Sequence, residues 1–203
     1  MFLNSFHFQA IALLDSVQFK EMTELALTKN NLSLVPAPQF QQLPQHHLTR
    51  LELTHCSLTA LHLLPLFASL ALPTSSVRHL LLRGAHLSTV PKDHMAAAID
   101  NLRTASLVDC RITSQQAEQV FVVLRENISL KEVDLSQNCL STVKPAVLAR
   151  VINRLDKANL SHCQLTKGQV VWSFETVAFF QHLSLCRFRS CCRSPWSAAS
   201  WSC

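Results

Sequence analysis

Apolar residues recur along this chain in a fixed local order, and the order returns six times. Segments beginning at Met22 (MTELALTKNNL), Leu48 (LTRLELTHCSL), Val77 (VRHLLLRGAHL), Leu102 (LRTASLVDCRI), Leu130 (LKEVDLSQNCL) and Leu155 (LDKANLSHCQL) share it. Each has apolar residues at positions 1, 4, 6 and 11 and Asn, Cys or Ala at position 9. Side chains alternate with period two on an extended segment, so positions 4 and 6 face the same way and each segment predicts a short strand. Strands are expected near Leu25, Leu51, Leu80, Ala105, Val133 and Ala158. Position 9 falls where the chain leaves the strand, and a side chain there that bonds to turn backbone relieves buried polar groups. Asn30 and Asn138 suit that task, and the thiols of Cys56, Cys110 and Cys163 perform it more weakly; these five are the predicted structural ladder.

Helical periodicity fills the gaps, over Leu61 to Leu70, Lys92 to Asn101, Gln115 to Glu126, Pro145 to Asn153 and Lys167 to Phe180. Thr113 with Gln116 and Thr166 with Gln169 read as capping boxes at helix starts, and Pro145 suits a first helical turn. In the stretch after Thr113, Val120, Phe121 and Leu124 recur at helical spacing and are expected to pack on the sheet. The six segments are spaced 26, 29, 25, 28 and 25 residues apart, so a longer step alternates with a shorter one. That alternation defines a double unit of 53 to 55 residues. An ungapped shift of 53 lays Leu87 to Thr113 on Leu140 to Thr166, with LSTV, Ile99/Ile152, Leu102/Leu155, Leu107/Leu160, Cys110/Cys163 and Thr113/Thr166 in common.

The pattern LxxLxLxxN/CxL at this period resembles the leucine-rich repeat, and its alternating long form resembles the ribonuclease-inhibitor subtype. The resemblance covers Met22 to about Val171. It implies an α/β solenoid, curved, with parallel strands on the concave face and helices on the convex face. Residues 22–182 are read as about six repeats. Residues 1–21 are read as an N-terminal helix, a remnant of a preceding repeat, with apolar residues at Phe6, Ala10, Leu13, Leu14 and Val17. Residues 183–203 are read as a degenerate seventh repeat followed by an anomalous tail without a polar cap, and the uncapped ends are expected to promote self-association.

Composition narrows the function. Of 203 residues, 48% are apolar and only 15% charged, which fits a folded core rather than a disordered chain. The net charge of +5 is concentrated by Arg187, Arg189 and Arg193 at one end, so charge supplies no nucleic-acid reading. The most apolar run, Leu58 to Leu72, holds His62 and Pro65 and is shorter than the ~20 residues of a membrane span. The chain shows no basic, small-residue signal peptide at its start, and a cytoplasmic, or nuclear, location is expected. Its eight cysteines form no C-x-x-C pair, and neither metal nor cofactor is expected. The N-x-S sequons at Asn31, Asn127 and Asn159 follow from the repeat itself. His55 beside Cys56 and His162 beside Cys163 do not make a catalytic pair, because neighbours on a strand point to opposite faces. With Gly84 and Gly168 as the only glycines, a phosphate-cradling loop is excluded.

What remains is the inward face of the strands. Positions 3 and 5 of successive repeats form columns of mixed sign, and Arg50, Glu52, His79, Leu81, Asp134 and Lys157 are the predicted partner-binding residues. The expected function is non-enzymatic: an interaction module that binds a protein partner on the concave face. Two alternatives stand beside it. The resemblance extends to GTPase-activating proteins for Ran, which implies a regulator of a small GTPase, and the irregular ends raise a truncated fragment with no function of its own.

Overall fold

A computed structural model of the chain describes residues 22–45 and 47–169. The helix expected before Met22 and the degenerate repeat and tail over 183–203 lie outside the described residues. Six short strands form: β1 (Glu24–Ala26), β2 (Arg50–Thr54), β3 (His79–Arg83), β4 (Thr104–Val108), β5 (Glu132–Asp134) and β6 (Lys157–Asn159). They make one open sheet in which every neighbouring pair is parallel and the spatial order follows the chain order. Each strand begins one residue before the apolar position that predicted it.

Helices connect the strands: α1 (Ala37–Gln42), α2 (Ala60–Leu70), α3 (Lys92–Asp100), α4 (Ser114–Leu124) and α5 (Pro145–Ile152). Four of them match the predicted helical stretches to within two residues. The first was not expected. Its six residues, APQFQQ, carry one proline and one large apolar side chain, too little to show a period. It forms because Pro38 is tolerated in a first turn and because Phe40 anchors it, fully buried. Successive helices pack on one another along the array, α1 on α2 through α4 on α5.

The core lies between the strands' position 4 and 6 side chains and the buried faces of the helices. Leu25, Leu51, Leu53, Leu80, Leu82, Ala105, Leu107 and Val133 supply the sheet side, and Phe67, Ile99, Phe121 and Leu148 the helix side. Phe40, Phe67 and Phe121 are the largest fully buried side chains, each contributing roughly 2 kcal/mol of transfer free energy. No helix among the described residues is long and apolar enough to cross a membrane.

The exit from each strand has one geometry. Position 8 of all six segments (Lys29, His55, Gly84, Asp109, Gln137 and His162) takes a positive φ between 52° and 69°. This left-handed residue swings the chain off the sheet while its N–H stays in register. Those of Lys29, His55, Gly84, Asp109 and Gln137 donate to the position 7 carbonyl of the next segment at 2.8–3.1 Å. Position 10 is also left-handed in the second, fourth and sixth segments, at Ser57, Arg111 and Gln164. Those are the three whose position 9 is cysteine. The double unit seen in the spacing is therefore an alternation of two backbone turns.

Candidate functional site

Because positions 4 and 6 are buried, positions 3 and 5 emerge on the face of the sheet opposite helices α1 to α5. Strand register aligns them into columns: Glu24, Arg50, His79, Thr104, Glu132 and Lys157, then Ala26, Glu52, Leu81, Ser106, Asp134 and Asn159. Polar neighbours meet both along the strands and across the rungs. The Arg50 guanidinium lies 3.6 Å from the Glu52 carboxylate, which also accepts from Thr28 Oγ1 at 3.3 Å. His79 Nδ1 meets Thr104 Oγ1 at 2.7 Å. The Lys157 ammonium donates to Glu132 at 2.9 Å, and this bond raises it above the ordinary lysine range. Asp134 is held by neutral donors: Ser136 N–H at 2.9 Å, Ser136 Oγ at 2.6 Å and Asn159 Nδ2 at 3.0 Å.

The face is not flat. On β4 the outward residues are Thr104 and Ser106, both smaller than their neighbours His79 and Leu81 on β3 and Glu132 and Asp134 on β5. The result is an open depression of about 310 Å³ centred on β4. Arg50, Leu81, Asp134 and Lys157, four of the six predicted partner-binding residues, line it; Glu52 and His79 stand beside it on the same columns. Thr104 and Ser106, which make the floor, are not among the residues the pattern predicts. They are small and uncharged, and only a comparison of volumes down the column would have marked them.

No protein-family model matches this chain, and no curated protein matches it at significant similarity.

The ladder residues hold the turns behind this face. Asn138 is buried, and its amide donates to the carbonyls of Leu107, Leu135 and Ser136 while its oxygen accepts from the N–H of Cys110 and Ile112. Asn30 is buried too and donates to Thr28 O at 3.2 Å. The thiols repeat the act in simpler form. Cys56 donates to Leu27 O, Cys110 to Leu82 O at 3.6 Å and Cys163 to Leu135 O at 3.0 Å. In each case the acceptor is position 6 of the preceding segment. Burial pushes the Cys56 thiol up to about 11 and the Cys110 thiol up to about 12, so both remain protonated donors at neutral pH. Cys56, Cys110, Cys139 and Cys163 are all free. His55 and His162 are exposed at their left-handed positions while the adjacent thiols are buried.

A second set of buried polar side chains joins the segments in pairs. Gln116 Nε2 donates to Leu87 O and Val90 O while its oxygen caps Thr113 N–H at 2.9 Å. Gln169 does the same to Leu140 O, Val143 O and Thr166 N–H. His62 is the third copy, in a T-x-x-H form of the box at Thr59 that the T-x-x-Q pattern does not cover. Its Nδ1 accepts from Thr59 N–H at 3.1 Å, so Nε2 carries the proton that is donated to Val35 O at 3.1 Å. Burial holds His62 below the ordinary histidine range, and Phe40 packs on its ring at 4.9 Å. Among the three sequons, Asn127 is buried with its Nδ2 bonded to Asp100 O at 2.8 Å, a state that leaves no room for a glycan. No group of His, Cys, Asp or Glu side chains among the described residues could hold a metal ion.

Proposed function

We propose that the chain is a leucine-rich-repeat solenoid of the ribonuclease-inhibitor type, and that it binds a protein partner on the face of its sheet opposite helices α1 to α5 without catalysing a reaction. The observation that carries this reading is the depression on β4, set among Arg50, Leu81, Asp134 and Lys157. Side chains on hydrogen-bonded strands lose little freedom on docking, so a partner that inserts one side chain there keeps most of the contact energy. Mixed charge around a small, uncharged floor is the composition of a protein interface rather than of a phosphate track. The free thiols fit a reducing compartment, the cytosol or nucleus.

Placing a photo-crosslinking residue at Ser106, with a control at the exposed Glu118 on α4, tests the assignment in cell extract. The expected result is a discrete adduct from Ser106 alone, lost in the Glu52→Ala/Leu81→Ala and Asp134→Ala/Lys157→Ala double variants, whose melting temperatures stay within about 2 °C of the parent. An adduct from Glu118 alone would move the site to the helices. Stimulated turnover in a panel of loaded small GTPases would replace this reading with that of a GTPase regulator.

A further inference from the structure

The column that precedes the first outward position of each strand reads Thr23, Thr49, Arg78, Arg103, Lys131 and Asp156. Backbone bonds carry the sheet register through it: Arg103 N–H donates to Arg78 O at 2.7 Å and Lys131 N–H to Arg103 O at 2.8 Å. Three cations therefore stand on adjacent rungs, about 4.8 Å apart. Like charges directly opposite one another in a sheet are destabilising. Elsewhere this protein avoids the arrangement: Arg50 lies beside Glu52 and Lys157 beside Glu132. Among the described residues, the remaining ion pair is Arg125–Glu126, so none of the trio has a carboxylate within 4 Å. Arg78 Nη1 donates to the carbonyls of Ser75 and Val77, both at 2.8 Å. Those bonds fix its guanidinium without neutralising it.

The three side chains line one depression of about 280 Å³, together with Asn101, Ile128 and Ser129. Ile128 is 80% exposed and also lines an adjoining depression of about 530 Å³ that contains the half-exposed Val122. Carboxylates border it: Asp156 continues the column, and Asp100 and Glu126 lie in the adjoining depression, Glu126 paired there with Arg125.

We propose that this depression binds the phosphoryl group of a phosphorylated peptide segment in a partner protein, with an apolar side chain of the same segment resting on Ile128 and Val122. The three cations outnumber Asp156, the one carboxylate in the column, by two, which calls for a dianion rather than a single carboxylate, and Arg meets phosphoryl oxygens in a bidentate fork. The exposed isoleucine calls for an apolar group attached to the anion. The bordering carboxylates oppose an extended anionic surface, so a compact charge on a peptide fits and a bilayer or nucleic acid does not. The site is separate from the β4 depression and does not depend on it.

The test uses the full chain and two degenerate peptide pools, one with a fixed phosphoserine followed by leucine, the other with serine in its place. The phosphoserine pool is expected to bind saturably, with affinity falling as salt rises, and at least ten-fold more weakly to Arg103→Glu. That variant places a carboxylate between Arg78 and Lys131. It is expected to melt at or above the parent's temperature at low salt and to lose the stabilisation that inorganic phosphate gives the parent. Equal binding of both pools, undiminished binding by Arg103→Glu, or a lower melting temperature of Arg103→Glu at low salt would overturn the proposal. Co-sedimentation of the parent but not the variant with phosphatidylserine vesicles, in place of peptide binding, would assign the trio to a membrane instead.

Discussion

At position 9 the buried side chains of Cys56, Cys110, Asn138 and Cys163 donate a hydrogen bond to the segment before them, and they do so with two chemistries. An amide does it with five bonds at Asn138, and a thiol does it with fewer at Cys110. The thiol works only while protonated, and that has a consequence for pH. Folding raises Cys56 to about 11 and Cys110 to about 12 from an ordinary value of 9.0. Above pH 9 the unfolded chain sheds these protons and the folded chain keeps them, so stability is full below pH 9 and falls as pH rises towards 11. The chain has no tyrosine to titrate in the same range. Chemical denaturation at pH 8 and pH 10.5 is expected to show this loss, and a Cys56→Ala/Cys110→Ala variant a flatter dependence from a lower starting stability. A variant as steep as the parent would show that the thiols carry none of the effect.

At the scale of elements, each helix that opens with a threonine is tied to the preceding turn by a buried residue three places on. His62 is the one member of this set that can acquire a charge. Its folded value lies below the ordinary one, so its contribution is full above about pH 6.5 and is lost as pH falls through the folded value. Replacement by the residue found at the two sister sites supplies the check. His62→Gln is expected to keep stability within about 1 kcal/mol at pH 7.5 and to remove the extra loss on acidification to pH 5. A steeper acid loss in the variant would contradict the neutral-imidazole assignment.

The same elements show what the sequence made readable. Strands were legible because an L-x-L pair can bury both leucines only when extended, and α2 to α5 because their apolar faces repeat over two turns or more. The six-residue α1 was illegible, since tertiary anchoring by Phe40 rather than periodicity makes it a helix. Ladder positions could be read from the motif. The columns of positions 3 and 5 follow from the motif as well, but the depression on β4 and the basic column do not, because they show only when volume and charge are compared down a column of residues 25 to 29 apart.

For the whole molecule, stability in such an array is close to a sum over segments and the joints between them. The sheet bonds are alike at every joint, but the turns differ. In the joint between the fourth and fifth segments Asn138 supplies an acceptor to Cys110 and Ile112. In the joint between the second and third the same place is taken by Ala85, buried and without a polar side chain, opposite the corresponding Cys56 and Leu58. Ala85→Asn is expected to raise stability by about 1 kcal/mol and to slow amide exchange at Cys56 and Leu58, as measured by native-state hydrogen exchange. Faster exchange at those two amides would mean that the turn has no room for the amide.

The alternation of turns gives the array a parity. His62, Gln116 and Gln169 all reach from an even segment back to an odd one, and the Cys56, Cys110 and Cys163 thiols point the same way. An odd segment placed beside another odd one would leave the turn carbonyls that His62 and the two glutamines reach without that donor, even where a position 9 asparagine such as Asn138 still donates backwards. Duplication or deletion of a single segment therefore breaks a buried network, whereas one of a whole pair leaves every bond with a counterpart. The chain behaves as a string of dimers written in one polypeptide, and the pair, not the segment, is the smallest length by which it can grow or shrink without rewriting its interior.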